Sequence, residues 1–204
     1  MIHQHAQALL QNLALERESE EFGEHPIIFV AHSLGGILVK RALELAAHLP
    51  VTGSNEELRS IFVSTYAIMF LGTPHIESDS VGFSSVLQRM VSALYPRDTL
   101  ESASQQAKLL QSDVEKLQNI NIDFSDIIDR FKICMVHETR LTDLNGTKTI
   151  IVDPFSAGPL HPGITYFGIE SSHAGMSKFD SKSSPGYLTV SATLLLWSHE
   201  GMWS

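Results

Sequence analysis

The sequence predicts an α/β fold with a mostly parallel sheet and helices on both of its faces. Four short apolar runs have the composition of buried strands, at residues 27–31, 67–72, 132–137 and 164–169. The stretches between them carry apolar residues at helical spacing. Strands that alternate with helices form parallel sheets, because each crossover helix must pack back onto the sheet.

The other predicted elements follow from the same patterns along the chain. Helical spacing predicts helices at residues 6–21, 34–48, 56–64, 81–94, 102–119 and 187–199, with helical turns at 124–130. The pair Asn145-Gly146 is a turn signal. Residues 149–152 after it are predicted to form a short strand, which ends at Asp153-Pro154.

Residues 26–42, PIIFVAHSLGGILVKRA, predict a strand, a sharp turn and a helix, with Ser33 in the turn. Small residues at positions 31, 35 and 36 let the backbone turn tightly and the helix pack closely. This is the G-x-S-x-G nucleophile-elbow pattern of α/β-hydrolases, with Ala31 in the first glycine position. Ser33 is then a nucleophile, and the backbone N–H of Leu34 is the expected oxyanion donor. The alternative is that Ser33 only caps the helix.

A nucleophilic serine needs a histidine base within reach. The chain has ten histidines, and His173 is the candidate because its loop, SSHAGMSKF, follows the last predicted strand. His75 follows the second strand and can line the mouth of the site. His32 either shapes the elbow or points away from Ser33. His161, His199, His3 and His5 have no supporting context.

Three carboxylates are candidates for the acid that orients the base. Glu138 lies at the end of the third predicted strand and is the first choice. Asp153, at the end of the short strand, is the second, and Asp143 is the third. Each has the alternative of being a solvated surface carboxylate.

Composition argues against several classes of function. The 204 residues carry a formal net charge of −9 at pH 7 and no Lys/Arg run, which argues against a nucleic-acid surface. No run is long enough to span a membrane, and the acidic start lacks the apolar core of a signal peptide. The single cysteine, Cys134, favours a reducing compartment, so we expect a cytoplasmic location, with a mitochondrial or membrane-peripheral one left open. Neither H-E-x-x-H nor paired cysteines occur, so we expect no metal site.

Several motifs together resemble a known family. The segments PIIFVAHSLGGILVKRAL, IMFLGTPH, IIVDPFSA, SSHAGMSKF and PGY occur in this order. In this they resemble a family of lipase-like serine esterase domains that includes GPI inositol-deacylase and the serine-active-site-containing proteins. The likeness is greatest to the fungal branch, in which the domain often precedes NACHT, ankyrin or tetratricopeptide regions. It extends over residues 6–187.

The resemblance implies roles for individual residues. It makes Ser33 the nucleophile, His173 the base and Glu138 the acid, in an enzyme that hydrolyses esters or lipids without a cofactor. Thr73 and His75 belong to the family's G-T-P-H motif, which shapes the pocket. The sequence departs from the family at two positions: Ser172 stands where the family usually has Asp, and Ile76 where it has a basic residue.

The resemblance also implies early strands and an H-G-L loop before the first helix, whereas this sequence opens on that helix. We therefore expect residues 1–204 to form a single, partial α/β-hydrolase domain that lacks the first strands. The strand before Ser33 would then have an open edge that can pair with a protein partner or with a second copy. The rival interpretations are a catalytically silent interaction module and an inactive fragment without its oxyanion loop.

Overall fold

The strands of the protein lie in one parallel sheet and one hairpin. The structure is a computed structural model that describes residues 2–18, 25–75, 80–94, 114–144, 146–154, 156–158 and 161–201. Its strands are β1 (Ile27–His32), β2 (Thr65–Leu71), β3 (Lys132–Glu138), β4 (Thr142–Leu144), β5 (Thr147–Thr149) and β6 (Thr165–Ile169). The four-stranded sheet has the order β1-β2-β3-β6 with all pairs parallel, and β4 pairs with β5 antiparallel.

Helices connect and follow these strands. They are α1 (Ile2–Arg17), α2 (Leu34–His48), α3 (Glu56–Ser64), α4 (Ser80–Leu94), α5 (Val114–Ser125) and α6 (Tyr187–Gly201). Residues 102–113 of the predicted 102–119 helix, and residues 19–21 of the first one, lie outside the described residues. Within the described ranges, none of these helices combines the length and the apolar character needed to cross a membrane.

The side chains of β2 explain why both faces of the sheet are covered. Ile68 and Phe70 belong to a buried cluster that includes residues of α2 and α5. Ala67, Met69 and Leu71 belong to a second cluster that includes residues of α6. Because successive side chains of a strand point to opposite faces, a run that is apolar throughout needs helices on both sides. The predicted α/β architecture is therefore confirmed.

Strand β1 lies at the edge of the described sheet. It pairs with β2 over its whole length, with Ala31 opposite Phe70 and His32 opposite Leu71. On its other side no described residue forms a strand, and the side chain of Val30 is 49% exposed. Apolar side chains of α6 are also open to solvent, including Leu188, which is 74% exposed.

The predicted strand at residues 149–152 is wrong. The chain instead forms the β4–β5 hairpin, which ends at Thr149, and residues 151–152 form a bend. Ile151 and Val152 are fully buried, so their apolar character is real. Their backbone N–H groups bond to the carboxylate of Glu138 rather than to a neighbouring strand, and this removes the donors that a strand would use.

Candidate active site

Ser33 occupies a strained turn between β1 and α2. Its φ of 57° and ψ of −131° make it the one non-glycine residue with a positive φ in the part of the chain that the structure describes. Such a conformation costs about 1–3 kcal/mol and persists only where its surroundings enforce it. The Ser33 N–H donates to the carbonyl of Leu71 at 2.8 Å, and its own carbonyl accepts the Thr73 hydroxyl at 3.0 Å. Strand β2 and the loop after it therefore hold the turn.

The two glycines after Ser33 have different reasons to be glycine. A Cβ atom at Gly36 would lie 2.1 Å from the Oγ1 atom of Thr73, which is far inside van der Waals contact. A Cβ atom at Gly35 would meet nothing within 4 Å. Only Gly36 is thus required for α2 to approach the loop after β2, and Thr73 is the residue that it approaches.

His173 joins Ser33 to Glu138. The Nε2 atom of His173 lies 3.0 Å from the Ser33 Oγ, and its Nδ1 atom lies 2.7 Å from the Glu138 Oε2. All three residues are buried, and the histidine and the glutamate are each 1% exposed. A carboxylate can only accept, so Nδ1–H donates to Glu138 and leaves the Nε2 lone pair for the serine hydroxyl. We call these three residues the serine network.

The loop that carries His173 is held from two sides. The Nε2–H of His32 donates to the carbonyl of His173 at 2.8 Å, and the two rings lie 5.0 Å apart. Gly72, with a φ of 57°, lies against the His173 ring, where an added Cβ would come within 3.0 Å of Cε1. Partial burial lowers the pKa of His32, more than its bond to the His173 carbonyl raises it. His32 therefore contacts the candidate base, which sequence reasoning left open.

Glu138 is held by backbone amides. Its Oε1 accepts the N–H groups of Ile151 and Val152, the second at 3.1 Å, while Oε2 faces His173. Both carboxylate oxygens are thereby used, as a buried carboxylate requires. The two donors follow the β4–β5 hairpin, so this short connection carries the groups that orient the acid.

The other two candidate acids form hydrogen bonds elsewhere. Asp153 accepts the Ser156 N–H at 3.0 Å and the Ser156 hydroxyl at 2.7 Å, and Arg89 lies 3.8 Å away. Partial burial raises the pKa of Asp153, but the bonds from Ser156 and the Arg89 charge outweigh it and leave that pKa lowered. Asp143 is exposed and accepts the N–H of Gly146 at 2.7 Å. Of the three carboxylates, Glu138 is the one that contacts His173.

His75 contacts a buried lysine, and its role in lining the mouth of the site remains a prediction. Its Nδ1 atom is 2.5 Å from the Nζ atom of Lys40, which also lies 2.7 Å from the Oδ1 atom of Asn121. We call Lys40, His75 and Asn121 the lysine network. All three are buried, at 2–4% exposure. Burial, and then the Lys40 ammonium, lower the pKa of His75 well below its usual value.

Sequence reasoning missed Lys40 and Asn121. The signal for Lys40 is a charged residue three positions after Ile37 and three before Leu43, both of which are fully buried on α2. Asn121 likewise lies between the buried Leu117 and Phe124 of α5. Polar residues inside an apolar helical stripe usually have a buried partner.

Two further points concern metal ligands and the oxyanion donor. Within the described residues, no three His, Cys, Asp or Glu side chains gather in a way that could hold a metal ion. Leu34 is the first residue of α2, and the first N–H groups of a helix have no intrahelical acceptor. The role of that N–H as an oxyanion donor remains a prediction.

Comparison with known proteins places the chain near the SERAC1 proteins. It is 30% identical to Protein SERAC1 of Danio rerio over 174 residues, which are 84% of this chain and 24% of that protein. It is 27% identical to Protein SERAC1 of Bos taurus and 26% identical to that of Homo sapiens, each over 143 residues, 69% of this chain and 19% of the relative. The chain thus spans about a quarter of the zebrafish relative and a fifth of the mammalian ones. No family model matches the sequence, and no solved structure matches it significantly. The chain is a distant homologue of the SERAC1 proteins.

Proposed function

We propose that this protein is a serine hydrolase that cleaves carboxylic esters, including lipid esters, with Ser33 as its nucleophile. The observation that carries this proposal is the serine network, in which one histidine contacts a serine hydroxyl at 3.0 Å and a buried carboxylate at 2.7 Å. The strained turn at Ser33 supports it, because a residue that only caps a helix has no need of a positive φ.

The reaction follows from the contacts of the three side chains. His173 accepts the Ser33 proton at Nε2 as the Oγ atom attacks the ester carbonyl. Glu138 holds the Nδ1–H and stabilises the imidazolium that forms. The imidazolium then gives its proton to the leaving alcohol, and an acyl-enzyme remains on Ser33. His173 takes a proton from a water molecule as that water attacks the acyl carbon. The imidazolium then returns the proton to the Ser33 Oγ atom as the acyl–Oγ bond breaks and the acid is released. The N–H of Leu34 donates to the oxyanion in both steps.

Cys134 is a poor alternative candidate for the role of nucleophile. Burial raises the pKa of the Cys134 thiol to about 12, so the thiolate that would attack is absent at neutral pH. Cys134 also lies in β3 among apolar neighbours, away from the open end of the sheet. A buried free thiol of this kind is compatible with a reducing compartment such as the cytoplasm.

The order of the site residues along the chain is consistent with this activity. We assign residues 1–204 to a single α/β-hydrolase-type domain, because the strand, turn and helix around Ser33 and the positions of Glu138 after β3 and His173 after β6 follow the hydrolase order of serine, acid and histidine. The sequence motifs around Ser33, Thr73, Asp153 and His173 are the support for a relationship to lipase-like serine esterases, including GPI inositol-deacylase and the fungal branch of that family.

A fluorophosphonate probe tests the nucleophile. We expect the folded chain to form a covalent adduct, detected by mass spectrometry, and we expect Ser33→Ala to form none. The matched control is Ser177→Ala, in the same part of the chain as His173, which should keep the adduct. Labelling that survives Ser33→Ala, or a folded wild-type chain that never reacts, would contradict the proposal.

The identity of the acid is tested with two isosteric amides. Glu138→Gln removes the charge that stabilises the imidazolium, and we expect it to lower kcat/KM on a p-nitrophenyl ester by about 10³–10⁴-fold. Asp153→Asn should change kcat/KM by less than about threefold, since Asp153 bonds to Ser156 instead. The reverse ranking would make Asp153 the acid.

A second candidate function is a binding module that keeps the fold without catalysis. The observation in its favour is the open side of β1, where Val30 is exposed beside a cavity of about 410 Å³ lined also by Tyr187 and Leu194. An apolar edge strand can pair with a second copy or with a partner's strand. Sedimentation of the folded chain tests self-pairing, and a monomer that reacts with the probe would favour the enzyme.

A further inference from the structure

Lys40 places an ammonium group inside the protein, two turns along α2 from Ser33. Its side chain is 2% exposed, and its Nζ atom lies 5.3 Å from the ring centre of Phe70 and 5.5 Å from that of Phe124. Removing a charge from water costs stability, and apolar residues of the same shape usually serve a core better. A lysine at this position therefore calls for a role beyond packing.

The contacts of Lys40 lead step by step to Ser33. Its ammonium donates to His75 and to Asn121, and the Asn121 amide donates to the carbonyl of Pro74 at 3.4 Å. His75 and Pro74 belong to the loop that follows β2. The first residue of the Thr-Pro-His segment, Thr73, donates its hydroxyl to the Ser33 carbonyl at 3.0 Å. The lysine network thus holds the segment that contacts the strained turn.

The protonation of His75 suits it to this structural task and not to proton transfer. An ammonium group can only donate, so the Nδ1 lone pair of His75 is occupied and the ring proton must lie on Nε2. That Nε2 atom is buried and has no hydrogen-bond partner among the residues that the structure describes. With its Nδ1 lone pair occupied and its proton on Nε2, the neutral ring has no lone pair left to act as a base. His75 therefore serves Lys40 as an acceptor.

We propose that Lys40 is a positioning residue for Ser33, acting through His75 and the loop at residues 73–75. The buried ammonium fixes His75 and Asn121, which fix the loop, and Thr73 of the loop fixes the carbonyl of the nucleophile. This inference rests on the proposed function, since it treats Ser33 as the attacking residue. It adds a determinant of the reaction rate that touches neither substrate nor His173.

Lys40→Met separates positioning from stability, because Met has a similar length and no charge. We expect the rate of fluorophosphonate labelling to fall by roughly 10-fold to 100-fold, as small misplacements of a nucleophile do. We expect the melting temperature to fall by a few degrees, because the buried acceptors on His75 and Asn121 lose their donor, so labelling rates are compared per amount of folded protein. The control is Lys148→Met, an exposed lysine on β5, which should change neither quantity. Loss of labelling in proportion to lost folded protein would mean that Lys40 is only structural.

The double variant Lys40→Met/Thr73→Val tests the route. If Lys40 acts through Thr73, the double variant should label about as slowly as the slower single variant, because both changes release the same loop. Fully multiplicative effects would contradict the route through residues 73–75.

A pair of variants at His75 covers the case in which Lys40→Met does not fold. Gln keeps an acceptor for the Lys40 ammonium, whereas Leu of similar size has none. We expect His75→Gln to label within about threefold of wild type and His75→Leu to label at least about 10-fold more slowly. Equal rates for the two would overturn the inference. An unlabelled wild-type chain would overturn the proposed function together with it, whereas a labelled wild type and an equally fast Lys40→Met would overturn this inference alone.

Discussion

Two buried histidines belong to the serine network and the lysine network, and their Nδ1 partners have opposite charge. In the serine network, Nδ1 of His173 faces the Glu138 carboxylate at 2.7 Å. In the lysine network, Nδ1 of His75 faces the Lys40 ammonium at 2.5 Å. Both rings are almost fully buried. The two sites are built from the same side chain at nearly the same depth, so their difference isolates the effect of the partner.

The partner decides which ring nitrogen is free to react. A carboxylate takes the Nδ1 proton and leaves a lone pair on Nε2, which for His173 lies 3.0 Å from the Ser33 hydroxyl. An ammonium takes the Nδ1 lone pair, so the Nε2 of His75 carries a proton, for which no described residue provides an acceptor. His173, beside the carboxylate, is therefore suited to act as a base. His75, beside the lysine, is suited to a structural role as the acceptor of the Lys40 ammonium.

The largest expected effect comes from making the same substitution at both histidines. Gln has no titratable nitrogen, so His173→Gln should lower kcat/KM on a p-nitrophenyl ester by about 10⁴-fold or more. His75→Gln keeps the acceptor for Lys40 and should stay within about threefold of wild type. Steady-state assays of the two folded variants measure this contrast. A similar loss of kcat/KM in both variants would contradict the assignment of His173 as the base and His75 as a structural acceptor.

A smaller effect is expected from Gly36, which lets helix α2 pack closely against Thr73. Gly36→Ala forces a methyl group into the Thr73 hydroxyl, and overpacking of this kind costs about 1–3 kcal/mol of unfolding free energy. Gly35→Ala adds the same group in open space and should be neutral or stabilising by up to about 1 kcal/mol, since Ala favours a helix. Urea denaturation gives both values. A Gly36→Ala protein as stable as Gly35→Ala would show that the contact with Thr73 relaxes freely.

The smallest effect is on the pH dependence of stability. The pKa of His75 is well below 6.5 in the folded protein, first because of burial and then because of Lys40. Below pH 6.5 the unfolded chain therefore binds a proton that the folded chain does not. As the pH is lowered below 6.5, the unfolding free energy of the protein should therefore fall by up to about 1.4 kcal/mol per pH unit because of His75. The lowered pKa of His32 acts in the same direction.

Urea denaturation at several pH values between 5 and 7 measures that slope, and His75→Gln provides the comparison. The variant lacks the titrating group, so its slope should be shallower by up to about 1.4 kcal/mol per pH unit. Parallel slopes for the two proteins would mean that His75 accepts a proton in the folded state after all.

The fold followed from the sequence more completely than the site did. Apolar runs and helical spacing located the four strands of the sheet and helices α2, α3 and α4 to within two residues, because burial on both faces leaves a continuous signal. Helix α5, predicted to end at residue 119, ends at Ser125. The same rule failed after Thr149, where Ile151 and Val152 are buried without strand pairing. Composition reports burial, and it cannot say which acceptor takes the backbone N–H groups.

The site shows the same limit. The elbow pattern predicted the turn at Ser33, since small residues and a strand-to-helix change are local features. Spacing could not show which of Glu138, Asp153 and Asp143 contacts His173. That contact, which Glu138 makes, depends on the path of the chain between β3 and β6. Lys40 escaped notice because a lysine on a helix is usually solvated, and only its place in an apolar stripe suggests otherwise.

The hold on Glu138 has a consequence for how such a site can drift in evolution. Its donors are the backbone amides of Ile151 and Val152, and every amino acid except proline supplies that group. Other apolar side chains that fit the core at these two positions would therefore leave the hydrogen bonds to the carboxylate unchanged. The orientation of the acid therefore depends on the path of the backbone at residues 151–152 more than on the identity of the side chains there.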